Sequence, residues 1–275
     1  MSKLKVLTPA EVEQFITDGY VLLRNVFSPE TARACREFLY EKIGVSATDR
    51  STWTKAVIHH QQDYGCAPFD AAFTPRLAAG YDDVMGEGRY RPGKSLGWWP
   101  VAFPGFEPPP WQVPVGGWHV DGIQFHHHLD SPDQGLLPIF IFSDIGPGDG
   151  GTAVDAGSHF RTARVLAASE PNGLSAGELT QKMNLEPPRR PIEMNGRAGD
   201  VVLLHPFMLH ARSPNTGSSV RFICNPCISL HEKMNFQRAN AEEYSPVELA
   251  VVRALKGTLS PSGDKVDLRN RPESA

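Results

Sequence analysis

The sequence is poor in cysteine, in long apolar runs and in any excess of one charge. Four cysteines scattered over 275 residues do not make a disulfide framework. The longest apolar stretch, Leu136 to Phe142, is broken by Pro138 and falls far short of the ~20 residues that cross a bilayer. The lysines near the N-terminus precede no apolar run, so no signal peptide is expected. A soluble, cytoplasmic protein is the expectation. A net charge of −4 offers no basic footprint for nucleic acid and no polybasic patch for a membrane surface. Internal repeats and low-complexity tracts are also missing. The expected partner is a small-molecule substrate, and nothing in the sequence assigns an oligomeric state.

What the chain does have is turn chemistry: 25 glycines and 24 prolines with aromatic residues between them. This suits short strands joined by turns better than a helical bundle. The N-terminal part differs. Thr8-Pro9-Ala10-Glu11 is a capping box with proline in the first helical position. Val12, Phe15 and Ile16 then form one apolar face, and Asp18-Gly19 stops the helix. A short strand follows at Tyr20 to Leu23. Ser28-Pro29 opens a second helix with Ala32, Cys35, Phe38 and Leu39 at helical spacing, ending near Gly44. Phe73 to Met85 is a further candidate helix.

From about Trp98 the texture changes. Strands are expected over Trp98 to Phe103, Trp118 to Phe125, Pro138 to Ile145, Thr152 to Asp155, Asp200 to His205 and Val220 to Ile228, separated by turn-rich pieces. Spaced strands after a helical N-terminus predict a jelly-roll or barrel core with helices packed outside. We expect a single domain over 1–275, with a helical part at about 1–97, a jelly-roll core at about 98–230 and a C-terminal extension at about 231–275. The polar tail from Ser260 to Ala275 is expected to be partly disordered.

The candidate chemistry starts at His119-Val120-Asp121. In an extended segment residues i and i+2 share a face, so both side chains can reach one ion. A third ligand has to come from elsewhere, and the apolar run from Asp200 ends in His210. Two imidazoles and one carboxylate on one face form the facial triad of iron(II) oxygenases. Arg221, eleven residues after His210, sits where a guanidinium can form a bidentate pair with a dicarboxylate beside the metal.

The sequence resembles the phytanoyl-CoA dioxygenase family of iron(II)/2-oxoglutarate oxygenases. The matching pieces are Trp-His-x-Asp at 118–121, Gly-Gly-Thr-x₄-Gly-Ser-His at 150–159, Gly-Asp-Val-Val-Leu at 199–203 and His-x₄-Asn-x₅-Arg at 210–221. Asp18-Gly19-Tyr20-Val21 and Val26-Phe27-Ser28 also resemble the family's N-terminal segment. The resemblance implies a mainly β fold, a double-stranded β-helix (jelly-roll, cupin-like) core with N-terminal and flanking α-helices. It implies that His119, Asp121 and His210 hold Fe(II), and that Arg221 and Thr152 contact the distal carboxylate of 2-oxoglutarate. With O2 as second co-substrate, the expected reaction is hydroxylation of a small or medium organic molecule, with succinate and CO2 as co-products. Halogenating relatives have Gly or Ala in place of the carboxylate, so Asp121 argues against halogenation. Two departures stand out. Arg212 occupies a position that is often a small hydroxyl residue, and Gly116 and Gly117 stand where some relatives carry glutamine, the nearest here being Gln112.

Other motifs are weaker. Gly88 to Ser95 matches the phosphate-loop pattern, but no apolar strand precedes it and Trp98-Trp99-Pro100 cannot open a helix. A surface turn is the better reading; its lysine or arginines facing the site's mouth is the functional alternative. Cys224 and Cys227 lack a second pair with zinc spacing and read as buried thiols. His126-His127-His128 is either polar structure or substrate lining. His205 faces away from His210 in a regular strand, and His159 reads as structural. The aromatic cluster from Trp98 to Trp118 reads as packing, with an apolar substrate wall as its functional alternative. The rival activities are a metal-dependent cupin-type enzyme without 2-oxoglutarate, an inactive ligand-binding relative and a nucleotide-binding protein.

Overall fold

The computed structural model describes residues 3–256. The polar tail from Ser260 lies outside the described residues. Six α-helices are present among them: α1 (Pro9–Asp18), α2 (Pro29–Ile43), α3 (Pro75–Met85), α4 (Ser158–Ala167), α5 (Ala176–Met183) and α6 (Pro246–Lys256). The strands are β1 (Tyr20–Leu23), β2 (Val57–His60), β3 (Trp99–Ala102), β4 (Leu137–Ile141), β5 (Ala153–Asp155), β6 (Pro191–Glu193), β7 (Val201–Leu204), β8 (His210–Ala211) and β9 (Ile223–Cys224).

The three helices read from sequence begin where their caps are. Thr8 accepts from the Glu11 amide while the Glu11 carboxylate takes the Thr8 amide at 2.7 Å, and Gly19 closes α1 in the left-handed conformation. Ser28 caps α2 and Thr74 caps α3. Each cap satisfies amides that the first helical turn leaves open, a contribution of about 1 kcal/mol.

The core consists of antiparallel sheets. One has the order β1-β7-β4-β9 and another β6-β5-β8, with a smaller β2-β3 pair beside them. Side-chain alternation splits each strand of the first sheet between two interiors. Leu137, Ile139, Ile141, Val202, Leu204 and Ile223 meet Val154 of the second sheet and Met194, which follows β6. On the opposite face Val21, Leu23, Phe140, Val201 and Leu203 join the apolar faces of the helices, including Phe15, Ile16, Leu39 and Leu77. With both faces covered, all four residues of β7 are buried, which is why the segment reads as a continuous apolar run. Full burial of each such side chain contributes about 1.5–3 kcal/mol. This is a jelly-roll core with helices outside, as expected, although helices hold more residues than the short strands.

Several features depart from the sequence reading: the strand expected over Val220 to Ile228 is regular only at β9, and β2, β6 and α6 were not expected. The expected strand from Trp118 to Phe125 reduces to one bridge at His119. Gly122, at φ 125, turns the chain directly after Asp121, and a Cβ there would lie 2.5 Å from the Phe125 ring and 2.7 Å from His127. In the poorly patterned segment 160–195, α4 and α5 appear, α5 opened by a Ser175–Glu178 capping box.

Candidate metal centre

His119 and His210 sit directly opposite one another in an antiparallel bridge, exchanging backbone hydrogen bonds of 2.9 and 3.0 Å. This pairing brings residues 91 positions apart into one site. Asp121 follows two residues after His119 on the same face. One ligand atom from each of His119, Asp121 and His210 lies within 4.8 Å of the others. The Nε2 atoms of His119 and His210 are 3.2 and 3.6 Å from Asp121 Oδ1.

The tautomers follow from the second nitrogen. His119 Nδ1 is 2.8 Å from the Gly117 carbonyl and His210 Nδ1 is 3.1 Å from the Met208 carbonyl. A carbonyl only accepts, so each Nδ1 carries a proton; in the neutral imidazole that leaves the Nε2 lone pair for an ion at the shared point, the orientation metal-binding imidazoles use. Burial alone would lower the His119 pKa, but the hydrogen bond and charge of Asp121 outweigh it and raise it. Burial pushes Asp121 up, and the two imidazoles outweigh that and hold it well below the usual carboxylate range. Its other oxygen, Oδ2, accepts from Asn225 Nδ2 at 3.0 Å.

The three residues open onto a cavity of about 740 Å³. Arg221 forms part of its wall and is 2% exposed. Its Nη2 donates to the Pro100 carbonyl at 2.8 Å, its Nε has no partner, and no carboxylate pairs with it among the described residues. Burial, then the positive charge of Arg212, lowers its pKa to about 10, so it remains a cation at neutral pH. A buried, unpaired guanidinium is costly unless an anion joins it. Thr152 is also buried on this cavity, with its hydroxyl uncommitted among the described residues. All five residues singled out in the sequence therefore meet in one place.

The donor set fits a divalent transition metal: two neutral imidazoles and one carboxylate converge, and the remaining directions face the cavity. The orphaned Arg221 fits a carboxylate ligand beside it. Ile139 and Ile223 supply apolar lining.

Several secondary readings resolve. His127 is buried, bonded to the Gly122 carbonyl and paired through its backbone with Leu174, while His128 contacts Glu170 and His126 the Asn172 carbonyl. The triple histidine thus ties the turn after Asp121 to the 170–174 loop. His159 and His205 are buried in the helix-side interior. Cys224 is buried and donates to the Gly97 carbonyl, whereas Cys227 is half-buried on the cavity. Arg212 pairs with Glu107 at 2.9 Å. Gln112 is exposed and absent from the cavity lining, where Gln124 stands instead.

The sequence reading missed Asn225. A signal existed: Arg221, Ile223 and Asn225 alternate along one extended segment and all three line the cavity. It also missed His59 and Asp63 on the outer wall, where Lys94 and Trp98, given a place near the substrate only as alternatives, stand beside Ser95.

A family model described as phytanoyl-CoA dioxygenase matches residues 15–223. No curated protein sequence matches the chain. Among solved structures, EctD from S. alaskensis in its apoform aligns with a TM-score of 0.52 at 16% identity, covering 83% of this chain and 79% of that one. HygX from Streptomyces hygroscopicus, with nickel and 2-oxoglutarate bound, aligns at 0.47 and 18% identity, covering 81% and 87%. EvdMO1 aligns at 0.49 and 18% identity over 80% of this chain, which spans only 49% of that protein's length. The EctD likeness is one of fold.

Proposed function

Because the chain belongs to the phytanoyl-CoA dioxygenase family, we propose that it is a 2-oxoglutarate-dependent oxygenase that hydroxylates a small or medium organic molecule, with residues 1–275 forming one oxygenase domain. In this reading His119, Asp121 and His210 hold Fe(II). Arg221, with Thr152, holds the distal carboxylate of 2-oxoglutarate. Bound together, iron, 2-oxoglutarate and dioxygen supply the oxidising power, converting 2-oxoglutarate to succinate and CO2 as the substrate is oxidised.

The chain's own residues set geometry and access. The His119–His210 bridge fixes the imidazoles at one spacing, and the Gly117 and Met208 carbonyls keep their Nε2 lone pairs free. Asn225 holds Oδ2 of Asp121 and so directs Oδ1 at the ion. Asp121 occupies with oxygen the position that halogenating relatives leave open, which favours hydroxylation. Arg221 would read the carboxylate from a buried position, where an ion pair is stronger than in water.

The observation that carries the co-substrate assignment is the buried Arg221 guanidinium, partnered by one carbonyl and orphaned at Nε. The test is an anaerobic titration of the Fe(II)-loaded protein with 2-oxoglutarate, followed by visible absorption. A weak charge-transfer band is expected, absent in His210→Ala. Arg221→Ala should keep the metal and weaken 2-oxoglutarate. Bound iron without a band would instead favour a cupin-type metal enzyme or an inactive relative.

A further inference from the structure

The cavity has a second half that the metal chemistry leaves unused. Its inner end carries the three metal-site residues, Thr152 and the buried Arg221. Its outer wall carries His59, Asp63, Lys94, Ser95 and Trp98. The β2–β3 pairing sets His59 opposite Pro100. Alternation turns His59 toward the cavity, while its neighbour His60 bonds Tyr64 at 2.8 Å. The next bridge, Tyr64 to Leu96, draws Asp63 against Gly97. A Cβ at Gly97 would lie 1.5 Å from Asp63 Oδ1, so only glycine lets this carboxylate rest over the backbone.

These side chains are uncommitted. Among the described residues, those of His59, Asp63, Lys94 and Ser95 form no hydrogen bond or ion pair. Lys94 and Asp63 carry opposite charges on one cavity without pairing. Lys5, by contrast, pairs with both Asp82 and Glu87. Trp98 is 45% exposed and, among the described residues, stacks on no other ring and makes no indole N–H hydrogen bond. Its φ of 62 is one that bulky residues rarely adopt. Such strain concentrates at ligand-binding positions. Ile123, 81% exposed, lines the same cavity.

We propose that this wall is the substrate subsite, and that the substrate is a small zwitterion with an apolar or ring-shaped skeleton. Lys94, with the Ser95 hydroxyl beside it, receives the anionic group. Asp63 receives the ammonium group. The Trp98 indole carries the skeleton, and Ile123 lies over it. The Gly88–Ser95 segment, which imitates a phosphate loop in sequence, thereby acts through one lysine and one serine at the mouth. The inference rests on the oxygenase reading above, since it takes the cavity to be that of the reacting substrate.

Three matched probes test it: L-phenylalanine, 3-phenylpropionate, which lacks the ammonium group, and 2-phenylethylamine, which lacks the carboxylate. Each is titrated anaerobically into the Fe(II)- and 2-oxoglutarate-loaded protein and followed by visible absorption and tryptophan fluorescence. L-phenylalanine should bind about fivefold more tightly than either analogue, the upper range for one part-exposed ion pair. Lys94→Met should abolish its advantage over 2-phenylethylamine. Asp63→Asn should abolish its advantage over 3-phenylpropionate. Trp98→Ala should weaken all three alike. Equal affinities, no binding by any probe, or a ranking unchanged in the variants would overturn the inference. The 2-oxoglutarate titration of the wild type separates the two levels. A protein without the charge-transfer band fails the oxygenase reading, whereas a normal band with unranked probes fails this inference alone.

Discussion

Arg221 illustrates how one side chain can be costly and indispensable together. It is a full cation in an apolar wall with a single carbonyl for company. Replacing such a group with an apolar one of similar size is often neutral or stabilising by about 1–4 kcal/mol. Arg221→Met should therefore leave the melting temperature of the ligand-free protein unchanged or higher. The same variant should lose the additional stabilisation that 2-oxoglutarate confers on the wild type by binding the folded state. Thermal melts with and without 2-oxoglutarate check both halves, and a variant still stabilised by 2-oxoglutarate would remove Arg221 from its role. Asn225 works differently, through Asp121. Asn225→Leu releases Oδ2 and should weaken metal affinity by about 10–100-fold, the usual effect of losing a partner that orients a ligand. Competition with a chelator measures it, and unchanged affinity would make the 3.0 Å bond incidental.

At the scale of elements, caps and local spacing account for what could be read in advance. Thr8, Ser28 and Thr74 announce α1, α2 and α3 because a cap is a contact between near neighbours in the chain. The signal at α4 was weaker, since its N-cap Gly157 makes no side-chain bond. α6 opens on a local signal too, a reciprocal cap in which Ser245 Oγ accepts from the Glu248 amide and the Glu248 carboxylate from the Ser245 amide, and Glu248 carries a more distant anchor besides. Glu248, nearly fully buried, accepts from the Asn235 and Ser245 amides and from Arg238 and Arg89. Burial would raise its pKa, but Arg238 and the amides outweigh that and lower it. Glu248→Ala removes the shared acceptor and should cost about 3 kcal/mol, toward the low end for a broken buried pair because both arginines retain some solvent. Denaturant unfolding checks this, and a loss below about 1 kcal/mol would mean that the apolar face of α6 holds it alone.

Across the whole molecule, the helix layer meets the sheet around two buried histidines. The His159 and His205 rings lie 4.9 Å apart. Their Nε2 atoms donate to the carbonyls of Ile16 and Val247, which ties α4 to α1 and the chain after β7 to α6. Burial lowers both pKa values, that of His159 to about 4. The unfolded chain then binds more protons than the native one between about pH 6.5 and 4, so stability is complete above that window and is lost as pH falls through it. For His159 alone the loss amounts to about 3 kcal/mol. Unfolding free energies measured from pH 7 to 4.5 should fall steadily. A flat profile would mean that the pair is already charged in the native state.

The sequence by itself determined the capped N-terminal helices, the apolar strands of the core, and the identity of the five residues that meet in the cavity. Most of those features are written in local spacing and residue chemistry: a cap, an alternation, a His-x-Asp pair, a histidine and an arginine eleven residues apart; Thr152 entered only through the family resemblance. Tertiary structure alone decided the rest. Sheet pairing set His119 against His210, and the turn at Gly122 ended the expected strand at Asp121. The pairing of β9 with β4 carried Asn225 to Oδ2 of Asp121, and the Tyr64–Leu96 bridge placed Asp63 against Gly97 on the wall that also carries Lys94 and Trp98. Contacts between residues far apart in the chain leave little trace in local pattern, because each partner is chosen by the fold that brings them together.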